Sequence, residues 1–221
     1  MNEEKPVTEP EPEDWRAWRK ARRRELIERR GALHTDDLKQ RSAAVDRWLA
    51  EGFGPVAGHT VGFCWPFAAE PDPRFAVRRW REGGSHAALP LVVAPRTPLE
   101  FREWWPGAAM ERGVYDIPYP VGTPVCIPEV ALVPVNGFDR NGYRLGYGGG
   151  YFDRTLASYG QRPLCIGLGF EIAWMDTIFP REHDIPFDFM VTEAGIYQRV
   201  DGRLVAVDPA DAQAAASRRL R

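Results

Sequence analysis

The amino-acid sequence predicts an α/β protein, a single layered domain with a mostly parallel central sheet flanked by helices. Three observations predict it. Short apolar segments alternate with helical ones through most of the chain, as they do when parallel strands are joined by crossover helices. A glycine-rich stretch between Arg144 and Arg154 follows one apolar segment and opens a helix, the position at which open parallel sheets carry their ligand loops. The 221 residues, 44% of them hydrophobic, are enough to build one large core.

Residues 1–13 are acidic and proline-bearing, with Glu3, Glu4, Glu9, Glu11 and Glu13, and read as a disordered tail. Asp14 caps a helix running to about Arg30, rich in arginine. Thr35, Asp36 and Asp37 start a second helix that turns Leu38, Val45, Trp48 and Leu49 inward. After the break at Gly52-Phe53-Gly54-Pro55 come a strand over Thr60–Trp65, a helix over Arg74–Arg81 and a strand over Ala87–Val93. Leu99–Trp104 reads as an edge strand, and the proline-rich Asp116–Pro128 as an extended loop. Val130–Val133 is a buried strand feeding the glycine loop, which runs into a helix over Tyr151–Tyr159. A strand over Leu164–Leu168, a short helix near Ile172–Thr177 and a strand over Phe187–Val191 follow. A hairpin over Ile196–Val207, turning at Asp201-Gly202, closes a domain expected over 14–207. Residues 208–221 are expected as a second tail.

The net charge of −2 excludes a molecule held to nucleic acid or membrane by its overall charge. Cys64, Cys126 and Cys165 stand far apart, without the spacing of a disulfide framework or a zinc knuckle. No apolar run reaches the length of a membrane span and no signal peptide is seen, so a cytoplasmic monomer without a membrane partner is expected. The four histidines form no nucleophile–base set with a serine, which disfavours hydrolytic triad chemistry.

The stretch from Arg144 to Arg154 points to phosphate chemistry. Its four glycines allow backbone N–H groups to turn inward and approach an anion, and the helix that follows adds its positive end. Arg144 and Arg154 supply charge, and Asp153 can hold the magnesium that accompanies a nucleotide. Neither of the two familiar phosphate-loop signatures is present. A structural turn remains the alternative. The basic first helix can be a solvated face, an RNA contact or a source of arginines for a nucleotide. Glu70, in the turn after the first strand, can accept a pair of N–H bonds from a pterin-like ring, and Trp65 can line a flat aromatic site. Asp184, just before the last core strand, is a candidate second metal carboxylate.

Pro134-Val135-Asn136-Gly137-Phe138-Asp139, leading through Gly142 into Arg144-Leu145-Gly146-Tyr147-Gly148-Gly149-Gly150-Tyr151-Phe152-Asp153, resembles the 5-formyltetrahydrofolate cyclo-ligase family. That family reads P-x-x-x-F-D-x-x-G-x-R-L-G-x-G-x-G-Y-Y-D there. His183-Asp184-Ile185-Pro186, Tyr115-Asp116-Ile117-Pro118 and the basic first helix extend the resemblance over about residues 16–192. It implies ATP bound by Arg19, Arg23, Arg144 and the loop Gly146, Tyr147, Gly148, Gly149, Gly150, Tyr151 and Phe152. It further implies Mg²⁺ on Asp153 and Asp184, and a folate contacted by Trp65, Glu70, Tyr147 and Tyr151. The implied activity is ATP-dependent closure of 5-formyltetrahydrofolate to 5,10-methenyltetrahydrofolate. Tyr147 and Gly149 stand where some members carry Arg and Lys. Two alternatives stay open: a related enzyme acting on another formylated heterocycle, and a non-catalytic nucleotide- or RNA-binding module.

Overall fold

The computed structural model describes residues 10–221; the acidic tail lies, up to residue 9, outside the described residues. Helices are α1 (Trp15–Gly31), α2 (Thr35–Gly52), α3 (Arg74–Glu82), α4 (Tyr151–Ser158) and α5 (Pro209–Arg219). The strands, in chain order, are β1 (Thr60–Gly62), β2 (His86–Leu91), β3 (Glu100–Trp104), β4 (Met110–Arg112), β5 (Pro118–Pro120), β6 (Val125–Cys126) and β7 (Val130–Pro134), followed by β8 (Gly137–Asp139), β9 (Arg144–Leu145), β10 (Leu164–Leu168), β11 (Trp174–Met175), β12 (Phe189–Val191), β13 (Ile196–Val200) and β14 (Arg203–Val207). No helix among the described residues is long and apolar enough to cross a membrane.

A nine-stranded sheet in the order β14-β13-β12-β10-β7-β1-β2-β3-β6 forms the centre. Strands β12, β10, β7, β1 and β2 run parallel, whereas β13 and β14 on one flank and β3 and β6 on the other are antiparallel. The sheet is therefore mixed, with its parallel part in the middle. Successive residues of β7 take opposite faces, as the pleat requires. Val130 and Leu132 join the cluster under α2, α3 and α5, and Ala131 and Val133 join the one under α4. Both faces are covered, which explains why the central strands read as unbroken apolar runs.

The chain leaves β1 toward β2 on one side, and returns to lay β7 on the other. This is a switch point, and it opens a crevice beyond the carboxyl ends of β1 and β7. Helix α1, capped by Asp14 at the N–H groups of Arg16 and Ala17, contributes to that end. Its Leu26 fills the space beside Gly137, where an added Cβ would lie 2.7 Å from the leucine Cδ1.

Several expectations are corrected. Residues 208–221 are no tail: Asp208 caps α5 through the Asp211 N–H at 2.9 Å, Pro209 takes the first turn, and Ala212, Ala215 and Ala216 are buried. Small side chains let α5 pack on α2, where a Cβ on Gly52 would lie 3.5 Å from Ala212 Cβ and would also meet Ile196 Cδ1 of β13 at 2.3 Å. The strand at 60–65 ends at Gly62. Leu99–Trp104 is not the rim, because β6 pairs outside it, and the loop expected over 116–128 contains β5 and β6. Residues 171–177 form a single 3₁₀ turn and then β11, which pairs with β8. Between β7 and the glycine loop lies the small sheet β11-β8-β9. Its turn is pinned by the buried Asp139, which accepts from the N–H groups of Asn141 at 2.9 Å, Tyr143 at 3.0 Å and Ile178 at 3.1 Å.

Candidate active site

The crevice is lined first by the turn Phe67–Glu70 after β1. Ala68 and Ala69 both have positive φ, 47° and 61°, a conformation costing roughly 1–2 kcal/mol per residue for a side chain with a Cβ. Three contacts hold it: Glu70 N to Phe67 O at 3.1 Å, Phe67 N to Glu70 Oε2 at 3.0 Å and Arg30 Nε to Ala68 O at 2.8 Å. Arg30, from the last turn of α1, is buried and spans the switch point. Its other nitrogens donate to Val135 O at 3.2 Å, Asn136 Oδ1 at 3.1 Å and Tyr147 Oη at 3.3 Å. The Tyr147 hydroxyl in turn donates to Glu70 Oε1 at 2.6 Å.

Glu70 is 8% exposed, and burial pushes its carboxyl above the ordinary range, against the opposing hydrogen bonds from Tyr147 and Phe67 and the charge of Arg30. The Tyr147 phenol is pushed well up, by burial and then by the Glu70 charge. Asn136 is 1% exposed, yet its Nδ2 has no hydrogen-bond partner among the described residues. Edge-on against Tyr147 sits the Phe67 ring, with centroids 6.0 Å apart. Trp65 lies further along, its ring 5.9 Å from Trp104 and under the Arg74 guanidinium at 4.9 Å.

The glycine loop forms the second part of the site. Gly148 and Gly150 have φ of 96° and 63°, which only glycine adopts without strain. Over Gly148 lies Arg23, with Nη1 3.2 Å from the position of an added Cβ, and over Gly150 lies Arg154 Nη1 at 3.0 Å. The Nε atoms of both arginines are buried without hydrogen-bond partners among the described residues. Burial and the neighbouring Arg19 lower the pKa of Arg23, with Asp184 acting in the opposite sense. Arg154 donates one bond to Gly149 O. Helix α4 starts at Tyr151, and Gly150 at its N-cap offers no side-chain hydrogen bond, so its first N–H groups are left to the loop. The Tyr151 ring packs beneath Gly149, 2.6 Å from where a Cβ would be. Gly146 faces open space, and Phe152 anchors α4 to the sheet.

Two arginine–aspartate pairs close the far side. Arg19 is 5% exposed and grips Asp184 through Nη2–Oδ2 at 2.6 Å while donating to Ile178 O at 3.0 Å and Phe179 O at 2.7 Å. Asp184 Oδ2 also accepts from Arg181 N at 2.7 Å. Burial raises the Asp184 pKa, but the bonds from Arg19 and the Arg181 N–H outweigh it, and the net direction is down. Arg144 donates to Asp153 Oδ1 at 2.7 Å and to Ile185 O at 2.6 Å. The same Oδ1 takes Ile185 N at 3.1 Å.

The structure thus gathers Arg19, Arg23, Glu70, Arg144, Tyr147, Asp153, Asp184 and the loop into one region, with Trp65 at its margin. Arg30 and Asn136 are additions that the sequence reading missed. A signal for Arg30 existed: Arg19, Arg23, Leu26 and Arg30 fall at i, i+4, i+7 and i+11, one stripe of a helix. Arginines on the same stripe as a buried leucine point inward, which argues against a wholly solvated face.

Three comparisons bear on this site. The model of the 5-formyltetrahydrofolate cyclo-ligase family matches residues 15–193. The 5-formyltetrahydrofolate cyclo-ligase of Mycolicibacterium smegmatis is 28% identical over 175 residues, covering 76% of this chain and 89% of that protein. The enzyme of that name from Escherichia coli is 28% identical over 153 residues, covering 65% and 82%. The solved structure of Aquifex aeolicus 5,10-methenyltetrahydrofolate synthetase aligns with a TM-score of 0.69 at 25% identity, covering 86% of this chain and 96% of that one. The structure of the Mycoplasma pneumoniae 5,10-methenyltetrahydrofolate synthetase has a TM-score of 0.66 at 20% identity, over 79% and 98%, a likeness of fold.

Proposed function

The chain belongs to the 5-formyltetrahydrofolate cyclo-ligase family, and we propose that it uses ATP to close 5-formyltetrahydrofolate to 5,10-methenyltetrahydrofolate, releasing ADP and phosphate. A formamide is a poor electrophile. Transfer of the γ-phosphoryl group to the formyl oxygen breaks the bond to ADP and leaves an iminium phosphate at N5. N10 then attacks the formyl carbon, gives up its proton to solvent or to the departing phosphate, and the C–O bond breaks to release phosphate as the ring closes. The steps call for positioning and charge neutralisation, with no protein nucleophile.

One observation carries the nucleotide half of this reading. Arg23 and Arg154 converge on Gly148 and Gly150 with buried, unpartnered Nε atoms, beside an uncapped helix start. Buried cationic donors without partners are costly, and a triphosphate supplies the missing acceptors. Arg23, Arg154, the loop N–H groups and the start of α4 hold the phosphates. Arg144 and Arg19 act one step back, orienting Asp153 and Asp184. At the other end, Glu70 and the aromatic surface of Phe67 and Trp65 receive the folate.

The donor set fits magnesium in the mode of one carboxylate with phosphates and water. Asp153 Oδ1 is engaged by Arg144 and Ile185 N, which leaves Oδ2 to a cation. Asp184 meets Arg19 and Arg181 N instead, and among the described residues no three acidic, histidine or cysteine side chains cluster for a metal. Asp153 would hold Mg²⁺, which would neutralise phosphate charge there; Asp184 serves as the anchor of Arg19.

Purified protein mixed with 5-formyltetrahydrofolate, ATP and Mg²⁺ is expected to form the methenyl chromophore with one ADP per turnover. Product formation without ATP, or ATP use without the chromophore, would overturn the reading.

A further inference from the structure

We infer that Arg30 and Asn136 are specificity-determining residues that read the carbonyl oxygen of the substrate's lactam edge while Glu70 reads the adjoining N–H, and that the Tyr147 hydroxyl holds this place before substrate arrives. The inference deepens the function proposed above and rests on it, since the substrate of that reaction carries a pterin lactam.

The Tyr147 phenol has a partner on each side. It donates to Glu70 Oε1 at 2.6 Å and accepts from Arg30 Nη2 at 3.3 Å. A group that is donor and acceptor at once, set between a carboxylate and a guanidinium, has the hydrogen-bonding character of a lactam, whose N–H and C=O lie side by side. Asn136 points to the same ligand edge. Its Oδ1 accepts from Arg30 Nη2 at 3.1 Å, which fixes the amide orientation, because the flipped amide would set two donors against each other. Nδ2 is then the free donor, and in a residue 1% exposed it is left without a partner. An unmet donor buried at the switch-point crevice, within the bonding network of Glu70 and Arg30, calls for an acceptor that the described residues do not supply. A ring oxygen arriving with the substrate supplies it.

Tyr147 is built to leave. The residue as a whole is 50% exposed although its hydroxyl is enclosed by Glu70 and Arg30, and it stands between Gly146, which faces open space, and Gly148 at φ 96°. Glu70, Arg30 and Asn136 are fixed by the strained Phe67–Glu70 turn and the end of β7. The fixed cluster therefore reads the ligand, and the movable phenol yields to it.

Binding of 6-methylpterin, which has the lactam, and of 2,4-diamino-6-methylpteridine, which lacks it, separates the alternatives by tryptophan fluorescence quenching at neutral pH. Tyr147→Phe deletes the competing hydroxyl, so it is expected to bind the lactam probe about tenfold tighter, the worth of roughly one hydrogen bond. Asn136→Leu is expected to bind that probe about tenfold more weakly. Affinity for the diamino probe should stay within twofold in both, roughly the scatter of such measurements. Lactam affinity unchanged in Tyr147→Phe overturns the inference; since that variant loses only a hydroxyl, it decides the matter even where Asn136→Leu does not fold. Turnover of 5-formyltetrahydrofolate by the same wild-type preparation separates the two levels. Turnover with unaltered lactam binding in Tyr147→Phe rejects this inference alone, whereas absent turnover rejects the function proposed above.

Discussion

The two ends of the crevice solve opposite problems. At the loop end, around Gly148 and Gly150, cationic groups are buried with nitrogens left unbonded, and the backbone is held in conformations that exclude side chains. At the switch-point end, Glu70, Arg30 and Tyr147 bond to one another, and only Asn136 Nδ2 is unmet. On the function proposed above the difference has a reason: a triphosphate is recognised by its charge, so a site for it can wait with donors unbonded, whereas a nearly neutral pterin is recognised by its pattern of donors and acceptors, so a site for it can keep a pattern of its own. Behind the loop end stand the two arginine–aspartate pairs, Arg144–Asp153 and Arg19–Asp184, of which only Asp153 keeps an oxygen free of these bonds for the cation proposed above.

The largest loss is expected where the scaffold behind the loop is broken. Arg144→Ala removes a side chain 4% exposed from an Asp153 that is 20% exposed, leaving a carboxylate without its partner. Breaking a pair so buried costs about 3 kcal/mol of stability, together with the bond to Ile185 O. Urea unfolding is the measure, and a midpoint like that of the wild type would show that the pair does not hold the loop. If instead Arg144 contacts ATP directly, kinetics will suffer without a matching loss of stability.

Gly148→Val tests the loop itself. The new Cβ lies 3.2 Å from Arg23 Nη1 at a φ of 96°, so the variant must both strain the backbone and displace the arginine. A cost of about 2–3 kcal/mol corresponds to roughly a hundredfold fall in kcat/KM for ATP. Binding of 6-methylpterin should be retained, which separates the two ends. Equal loss of both ligands would join them into a single site.

Asp184→Asn is expected to cost about 2 kcal/mol near neutrality, the worth of a charge-assisted bond to a guanidinium. The sign of its pH dependence follows from the direction of the shift. The folded-state pKa of Asp184 is lowered, so its contribution is present above the unfolded value, about 3.9 for an aspartate, and is lost as pH falls through the lower folded value. The gap in melting temperature between wild type and variant should narrow only below about pH 4. A gap that is constant down to pH 2 would remove the charge from the account.

The legible parts of this molecule are those with local chemistry. Asp14 before an arginine-rich helix, Asp201-Gly202 between two alternating strands, and the glycine loop opening α4 each carry their signal within a few residues. The parallel centre was legible because both faces of its strands are apolar. What escaped depends on distant partners. Helix α5 reads as a tail because alanines give no strong apolar stripe; they matter only because Gly52 lets them come close. Strands β8 and β9 are too short to show periodicity, and are made by pairing and by Asp139. Glu70 could be singled out in the sequence as a candidate recognition carboxylate, but nothing adjacent in sequence shows that Tyr147, seventy-seven positions on, bonds to it. Arg30 was hidden by its neighbours, since among so many arginines only helical spacing marks the ones that turn inward.

Glu70 gives the smallest and most discriminating test, because its electrostatics run opposite to those of Asp184. Burial raises its pKa despite the bonds from Tyr147 and Phe67 and the Arg30 charge. A carboxyl raised in the folded state contributes stability below the unfolded value, about 4.3 for a glutamate, and loses it as pH rises through the folded value. Glu70→Gln does not titrate and keeps an oxygen for the Tyr147 hydroxyl. Its melting temperature should therefore gain on that of the wild type as pH is raised from 4 toward neutrality, while the gap for Asp184→Asn narrows only below about that pH. Affinity for 6-methylpterin should fall, since an amide is a weaker acceptor than a carboxylate for the ring N–H. Parallel melts of the two variants thus separate a carboxylate kept in place by a fixed arginine from one buried to await a ligand. Two curves that bend the same way would show that the ends of the crevice are not electrostatically distinct.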